Sequence, residues 1–233
     1  MTGPISVIIP TLNAAQRLPR TLASLAAAVS EGFVREVIVA DGGSRDATLD
    51  IADAAGCMLV SGEPNRSLLF RLAAARAKGK WLLFLRQGTV LCDGWTDEVE
   101  TFFKMPEARR HAAVFQLAFD DPSAKRALFW ARLRTRLTKL PRGDQGLLIS
   151  RFLYDAIGGY REMNELEDAD LIRRIGSRRL VFLQTEAVTS ALHYRHYESA
   201  SKSLGMVVRH LMGADPVELA KAQRAAVRAS RGV

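Results

Sequence analysis

Through the first half of the chain, short apolar runs alternate with stretches whose apolar residues recur at spacings of three and four. That alternation predicts β-α-β units around a largely parallel sheet with helices on both faces. The runs 5–9, 36–40, 57–61 and 81–85 are apolar nearly throughout, as strands covered on both faces are. Between them 17–29, 46–55 and 66–77 carry the helical spacing, with Asp46 a candidate cap for the second, and 93–103 reads as a fourth helix. After Pro106 the regularity changes. A strand is expected at 113–119, a basic segment at 125–142, a strand at 147–150, then short helices, a helix at 165–175, a strand at 180–183, and two C-terminal helices over 201–211 and from 216 onward. There is no internal repeat, Gly/Ser linker or low-complexity tract, so one unit over 1–233 is expected.

Composition narrows the class. The chain has 233 residues, is 48% hydrophobic and 25% charged, and carries a formal net charge of +8, so disorder and collagen-like repeats are excluded and an anionic partner is admissible. Cys57 and Cys92 form neither a disulfide framework nor a zinc spacing. Residues 1–10 lack the pattern of an export signal, and no apolar run reaches the roughly 18 residues of a membrane span. A cytoplasmic protein is expected, with peripheral contact at the inner face of the membrane as an open alternative.

Two strand exits carry candidate chemistry: Pro10, Thr11, Leu12 and Asn13 after the first strand, and Asp41, Gly42, Gly43, Ser44, Arg45 and Asp46 after the second. Ligands of open parallel sheets bind outside the carboxyl ends of strands, where glycines admit close approach and a carboxylate can accept hydrogen bonds from a base or ribose. The other reading is a tight turn at Gly42 and Gly43 stabilised by Asp41.

Taken together, ISVIIPTLN, EVIVADGGSRDAT, KGKWLLFL and the acidic pair Glu167 and Asp168 resemble the family 2 glycosyltransferases. The stretches PRGDQGLLISRFLYDAIGGYREMNELEDADLIRRIG, TSALHYRHYESA and LMGADPVELAK are similar to the bacterial subgroup labelled arsenosugar-biosynthesis glycosyltransferases. The resemblance implies an α/β GT-A fold: a Rossmann-like nucleotide-sugar half over about 1–105 joined to an acceptor half over about 106–233. It implies inverting transfer of a sugar from a nucleotide-diphospho donor to a hydroxyl acceptor of unknown identity. By the same resemblance, Pro10, Thr11, Asn13, Asp41, Gly42 and Ser44 would line the nucleoside pocket. Asp168, with Glu167 beside it, would take the acceptor's proton, since a hydroxyl is a poor nucleophile until a carboxylate within reach does so. Gly143, Asp144 and Gln145 would face the acceptor. From the residues alone, Glu167, Asp168 and Asp170 also read as carboxylates at a helix N-terminus, and Gly143 and Gly146 as a turn.

The chain departs from the family where a carboxylate triad usually holds Mg²⁺ or Mn²⁺: it has Arg86, Gln87 and Gly88, none an anionic oxygen ligand. No metal ligand is assigned. Either Arg86 pairs directly with diphosphate oxygens, with Arg71 and Arg66 nearby, or the donor site is lost and the chain is a binding or scaffold protein. Ala14 and the Arg71, Leu72, Ala73 stretch also differ from the family pattern. His193 and His196 read as a loop pair rather than a zinc site. In 125–142, Phe129, Trp130, Leu133, Leu137 and Leu140 fall on one helical stripe among Arg132, Arg134, Arg136 and Lys139. A core-facing helix is the favoured reading, and an interfacial membrane helix the alternative. No nucleic-acid-binding motif is present.

Overall fold

The computed structural model describes residues 3–164 and 166–191. The expected helices over 201–211 and from 216, and His193 and His196, lie outside these. The described elements run β1 (Ile5–Thr11), α1 (Leu18–Ser30), β2 (Val34–Asp41), α2 (Thr48–Ala54), β3 (Met58–Ser61), α3 (Arg66–Arg76), β4 (Trp81–Phe84), β5 (Val90–Leu91), α4 (Trp95–Phe103), β6 (Ala112–Phe119), α5 (Lys125–Thr138), β7 (Leu147–Ser150), α6 (Arg151–Ala156), α7 (Glu167–Ile175) and β8 (Leu180–Thr189).

One eight-stranded sheet has the order β3-β2-β1-β4-β7-β6-β8-β5. The first four strands are parallel, β7 is antiparallel to both neighbours, β6 and β8 are parallel, and β5 closes the far edge antiparallel to β8. Every residue of β1 is buried, which explains why it is apolar nearly throughout: Ile8 packs with α3, α6 and α7 on one face, Val7 and Ile9 with α1 and α4 on the other. The chain leaves β1 for β2 on one side, while β4 lies against its other side, so connections diverge between β1 and β4 and open a crevice at their carboxyl ends.

Local chemistry sets the boundaries. Pro19 starts α1 where a missing N–H costs nothing, and the Asn65 side chain caps α3 by accepting from the Leu68 amide at 3.2 Å. Asp46 lies one residue before the cap position of α2 but still accepts from the Thr48 amide at 3.1 Å. β8 runs six residues further than expected, and β5 was not foreseen.

The core-facing reading of the 125–142 stripe is corrected at Phe129 and Trp130, while Leu140 packs against the core. α5 buries Ala131 and Thr135 and packs Leu128 against Leu117 and Phe119 of β6, while Phe129 and Trp130 are 61% and 60% exposed. The buried face is the one that carries Ala131 and Thr135. No helix among the described residues is long and apolar enough to cross a membrane.

Candidate active site

The crevice between β1 and β4 holds a cleft of about 400 Å³ lined by Pro10, Thr11 and Leu12 from the β1 exit, Arg86 and Gln87 from the β4 exit, Arg17, Pro64, Arg66 and Leu69, and Arg142, Asp144 and Thr189 from the far half. Four guanidinium groups and one carboxylate thus meet at the topological switch point. The two exits are tied together: the Gln87 side chain accepts from the Leu12 amide at 3.2 Å.

Behind the cleft surface lies an ion network. Arg86 donates through Nη1 to Asp144 Oδ1 at 2.9 Å and through Nη2 to Asp168 Oδ2 at 2.7 Å. Tyr160 Oη donates to the other oxygen, Asp168 Oδ1, at 3.1 Å, and Arg66 pairs with the buried Glu167. Burial alone would raise the Asp168 pKa, but the Arg86 and Arg66 charges with the Arg86 and Tyr160 hydrogen bonds outweigh it and hold the carboxyl below its usual range. The Arg86 pKa is raised: burial opposes its charge, and Asp144, Asp168 and Glu167 more than restore it. Burial, then Asp168 and Glu167, push the Tyr160 phenol well above its usual value, so it stays a donor. Tyr160 is fixed by stacking on Phe70 with centroids 4.6 Å apart.

Both expected acid–base residues are therefore brought to the site, but neither lines the cleft. Asp168 instead borders a cavity of about 10 Å³ on the far side of the network, with Tyr160, Gly143 and Phe84, room for about one water at most. The Arg86 side chain lies at the cleft and Asp168 lies behind it. Gly143 is packed against this pair: a Cβ there would sit 2.2 Å from Asp168 Oδ2 and 2.8 Å from Arg86 Nε. Arg86 Nε itself is buried, with no hydrogen-bond partner among the described residues.

The remaining expected residues divide. Pro10, Thr11 and Asp144 line the cleft. Asp41 does not: its carboxylate accepts from Thr11 Oγ1 at 2.8 Å, Ser44 Oγ at 2.5 Å, the Ser44 amide at 2.7 Å and the Gly43 amide at 2.9 Å. Those bonds use its four lone-pair positions and make it the anchor of the turn in which Gly43 takes φ +91°. Asn13 and Ser44 belong to the same lattice, the Asn13 amide donating to Ser44 Oγ at 2.8 Å and Asn13 Oδ1 accepting from the Arg45 amide at 2.9 Å. Gly42 packs on the Pro64 backbone. Gln145 spends its amide on the Phe115 carbonyl at 2.9 Å and the Arg142 amide at 3.2 Å. Arg71 is corrected outright: it lies outside the cleft in an exposed pair with Glu162 at 3.6 Å, because five residues along a helix place it well round from Arg66. Arg17, Arg142 and Tyr160 were missed. Arg142 borders the Gly143, Asp144, Gln145 loop, and Tyr160 follows the Gly158–Gly159 turn, which were the available signals.

A divalent cation does not fit the β4 exit. Arg86, Gln87 and Gly88 offer no anionic oxygen, Arg86 brings a positive charge, and the described residues hold no group of three or more His, Cys, Asp or Glu able to ligate a metal.

A parallel sheet with the order β3-β2-β1-β4 and a cationic crevice at its switch point, extended by a mixed half carrying an acidic pair, is the GT-A fold of glycosyltransferases. Residues 6–86 match the family described as Glycosyl transferase family 2. A PGL/p-HBAD biosynthesis glycosyltransferase of Mycobacterium tuberculosis (strain ATCC 25618 / H37Rv) is 37% identical over 93 residues, which cover 36% of this chain and 36% of that protein. The match therefore spans about a third of that relative's length. Glucosyl-3-phosphoglycerate synthase from Mycobacterium tuberculosis, solved with Mn²⁺, UDP and glucosyl-3-phosphoglycerate, superposes with TM-score 0.61 at 19% identity, covering 91% of this chain and 81% of that one. Residues 1–349 of S. aureus TarS superpose with TM-score 0.63 at 16% identity, covering 92% and 66%. These structures establish the likeness of fold.

Proposed function

We propose that the chain is a glycosyltransferase that takes a nucleotide-diphospho sugar and holds its diphosphate with guanidinium groups instead of a divalent cation. The observation that carries this is the convergence of Arg17, Arg66, Arg86 and Arg142 on one cleft at the β1–β4 switch point. A planar guanidinium pairs bidentately with phosphate oxygens and stabilises the charge that builds on a departing diphosphate. The nucleotide-sugar donor is further supported by the UDP in the glucosyl-3-phosphoglycerate synthase structure.

In this reading the acceptor hydroxyl gives its proton to the Asp168 carboxylate as its oxygen attacks the anomeric carbon. The bond from that carbon to the diphosphate breaks on the opposite side, and its electron pair leaves with the nucleoside diphosphate, so the anomeric centre inverts. Asp168 must first part from Arg86, and an incoming diphosphate competes for the same guanidinium. Donor binding thereby exposes the base.

The second reading, a binding protein without turnover, is favoured by the engagement of both Asp168 oxygens in the network. Calorimetry with UDP, GDP and their glucose and mannose conjugates, with Mn²⁺ and with chelator, tests the donor site. Binding that survives chelator supports the guanidinium site, and binding only with Mn²⁺ refutes it. Tight binding without hydrolysis or transfer across an acceptor panel selects the second reading, and no binding in either condition refutes both as nucleotide proteins.

A further inference from the structure

Helix α5 wears its amphipathicity inside out. At 3.6 residues per turn, Phe129, Trp130 and Leu133 lie opposite Leu128, Ala131 and Thr135, and it is the second set that meets the sheet. Arg132 fastens the inner side, donating through Nε to the Leu117 carbonyl and through Nη2 to Glu186, each at 2.7 Å. The two largest apolar side chains of the helix therefore project into solvent, their rings 5.6 Å apart and nearly perpendicular. Beside them on the outer face stand Lys125, Arg126 and Arg136, all exposed. No Asp or Glu occurs from 125 to 142.

We infer that this outer face of α5 docks on an anionic membrane surface, with Phe129 and Trp130 inserted at the headgroup level and the flanking cations on the lipid phosphates. Aromatic rings at the interface, cations around them and the absence of an acid are the layout of interfacial burial. Charge decides between occupants. A second copy of this chain would bring like charge against like charge, whereas an anionic lipid surface is complementary. Nucleic acid would be gripped by cations at the centre of the patch, and here the centre is apolar. α5 leads through Pro141 to Arg142 and Asp144 at the cleft, so docking sets the acceptor side of the cleft near the lipid surface. The inference is independent of turnover: it concerns a surface none of whose residues lines the cleft.

The test is co-sedimentation of the full chain with vesicles of phosphatidylcholine alone or mixed with phosphatidylglycerol, with quenching of Trp130 fluorescence by brominated phosphatidylcholine. Trp95 is buried and Trp81 packs against the core, so the outward-facing tryptophan is Trp130. The expected result is binding that needs the anionic lipid, quenching by the brominated lipid, and at least about a tenfold fall in partitioning for the F129S/W130S variant, with its nucleotide binding equal to wild type. Four results overturn the inference: no vesicle binding, vesicle binding unchanged in F129S/W130S, binding to RNA but not to vesicles, or a dimer in solution that F129S/W130S dissolves.

Discussion

The Nη2 of Arg86 lies 2.7 Å from Asp168 Oδ2, and the arginine, not the aspartate, lines the cleft. If Asp168 is the base, Asp168→Asn removes the proton acceptor and also loosens the hold on Arg86. The expected outcome is a fall in turnover of about 10²- to 10⁴-fold with nucleotide-diphosphate affinity equal to or tighter than wild type, read by a transfer assay and calorimetry on the same preparation. Retained turnover would remove Asp168 from the role.

Arg86→Ala leaves Asp144 and Asp168 facing each other across a half-buried space without their shared cation. A loss of about 3 kcal/mol is expected, together with loss of diphosphate binding. Because that variant is also a folding risk, Arg86→Lys is the sharper experiment. An ammonium keeps the charge but cannot span both carboxylates and a phosphate in the way a planar fork does. Arg86→Lys should be folded, slightly less stable in urea, and about tenfold weaker for nucleotide diphosphate. Unchanged affinity would show that the diphosphate is held elsewhere.

Gly143 touches both partners of the same pair, so Gly143→Ala drives a methyl group into them. Asp168 cannot swing aside without leaving Arg86 or Tyr160. The expected cost is about 1–3 kcal/mol, with weaker nucleotide binding. Gly56→Ala is the comparison: its φ is +71° and open space surrounds it, so it should lose stability by about 1 kcal/mol with binding unaltered. Equal effects of the two on binding would refute the specific contact.

The first half of the fold was legible because strands buried on both faces must be apolar almost throughout, and β1 to β4 are close to that. β5, two residues long, has no period to read. The stripe of α5 was legible as a stripe, but which side met the sheet depended on partners that spacing cannot show: Leu117 and Phe119 for Leu128, and the Leu117 carbonyl and Glu186 for Arg132. At the site, motif order brought the acidic pair and Arg86 into one network. What spacing could not show was how donors are shared. Asp41 is saturated partly by Thr11, thirty residues away and its neighbour only once β1 and β2 pair in register. Asp168 receives Tyr160 across the Gly158–Gly159 turn.

The saturation of Asp41 makes a pH prediction with a definite sign. Burial would raise its pKa, but hydrogen bonds from Ser44, Thr11 and Gly43 outweigh that and hold it below its usual value. Glu98, against the Gln184 and Thr185 amides and the Thr185 hydroxyl, is lowered in the same way despite burial, and so is Asp168. A carboxyl whose pKa is lower folded than unfolded binds more protons when unfolded. Its stabilisation is complete above the unfolded value of about 4 and is lost as pH falls from there through the folded value. The urea midpoint of the wild type should therefore be flat above about pH 5 and decline steeply below about pH 4. Asp41→Asn can keep its carbonyl on the Gly43 and Ser44 amides, but its N–H₂ then faces the Thr11 and Ser44 hydroxyls, which must turn round to accept, and the charge-assisted bonds are lost, at a cost of about 1–3 kcal/mol near pH 7. It also removes one of the titrating groups. Its curve should start lower, fall less steeply and approach that of the wild type in acid. Parallel curves across the whole range would mean that Asp41 is not held as a carboxylate by the turn.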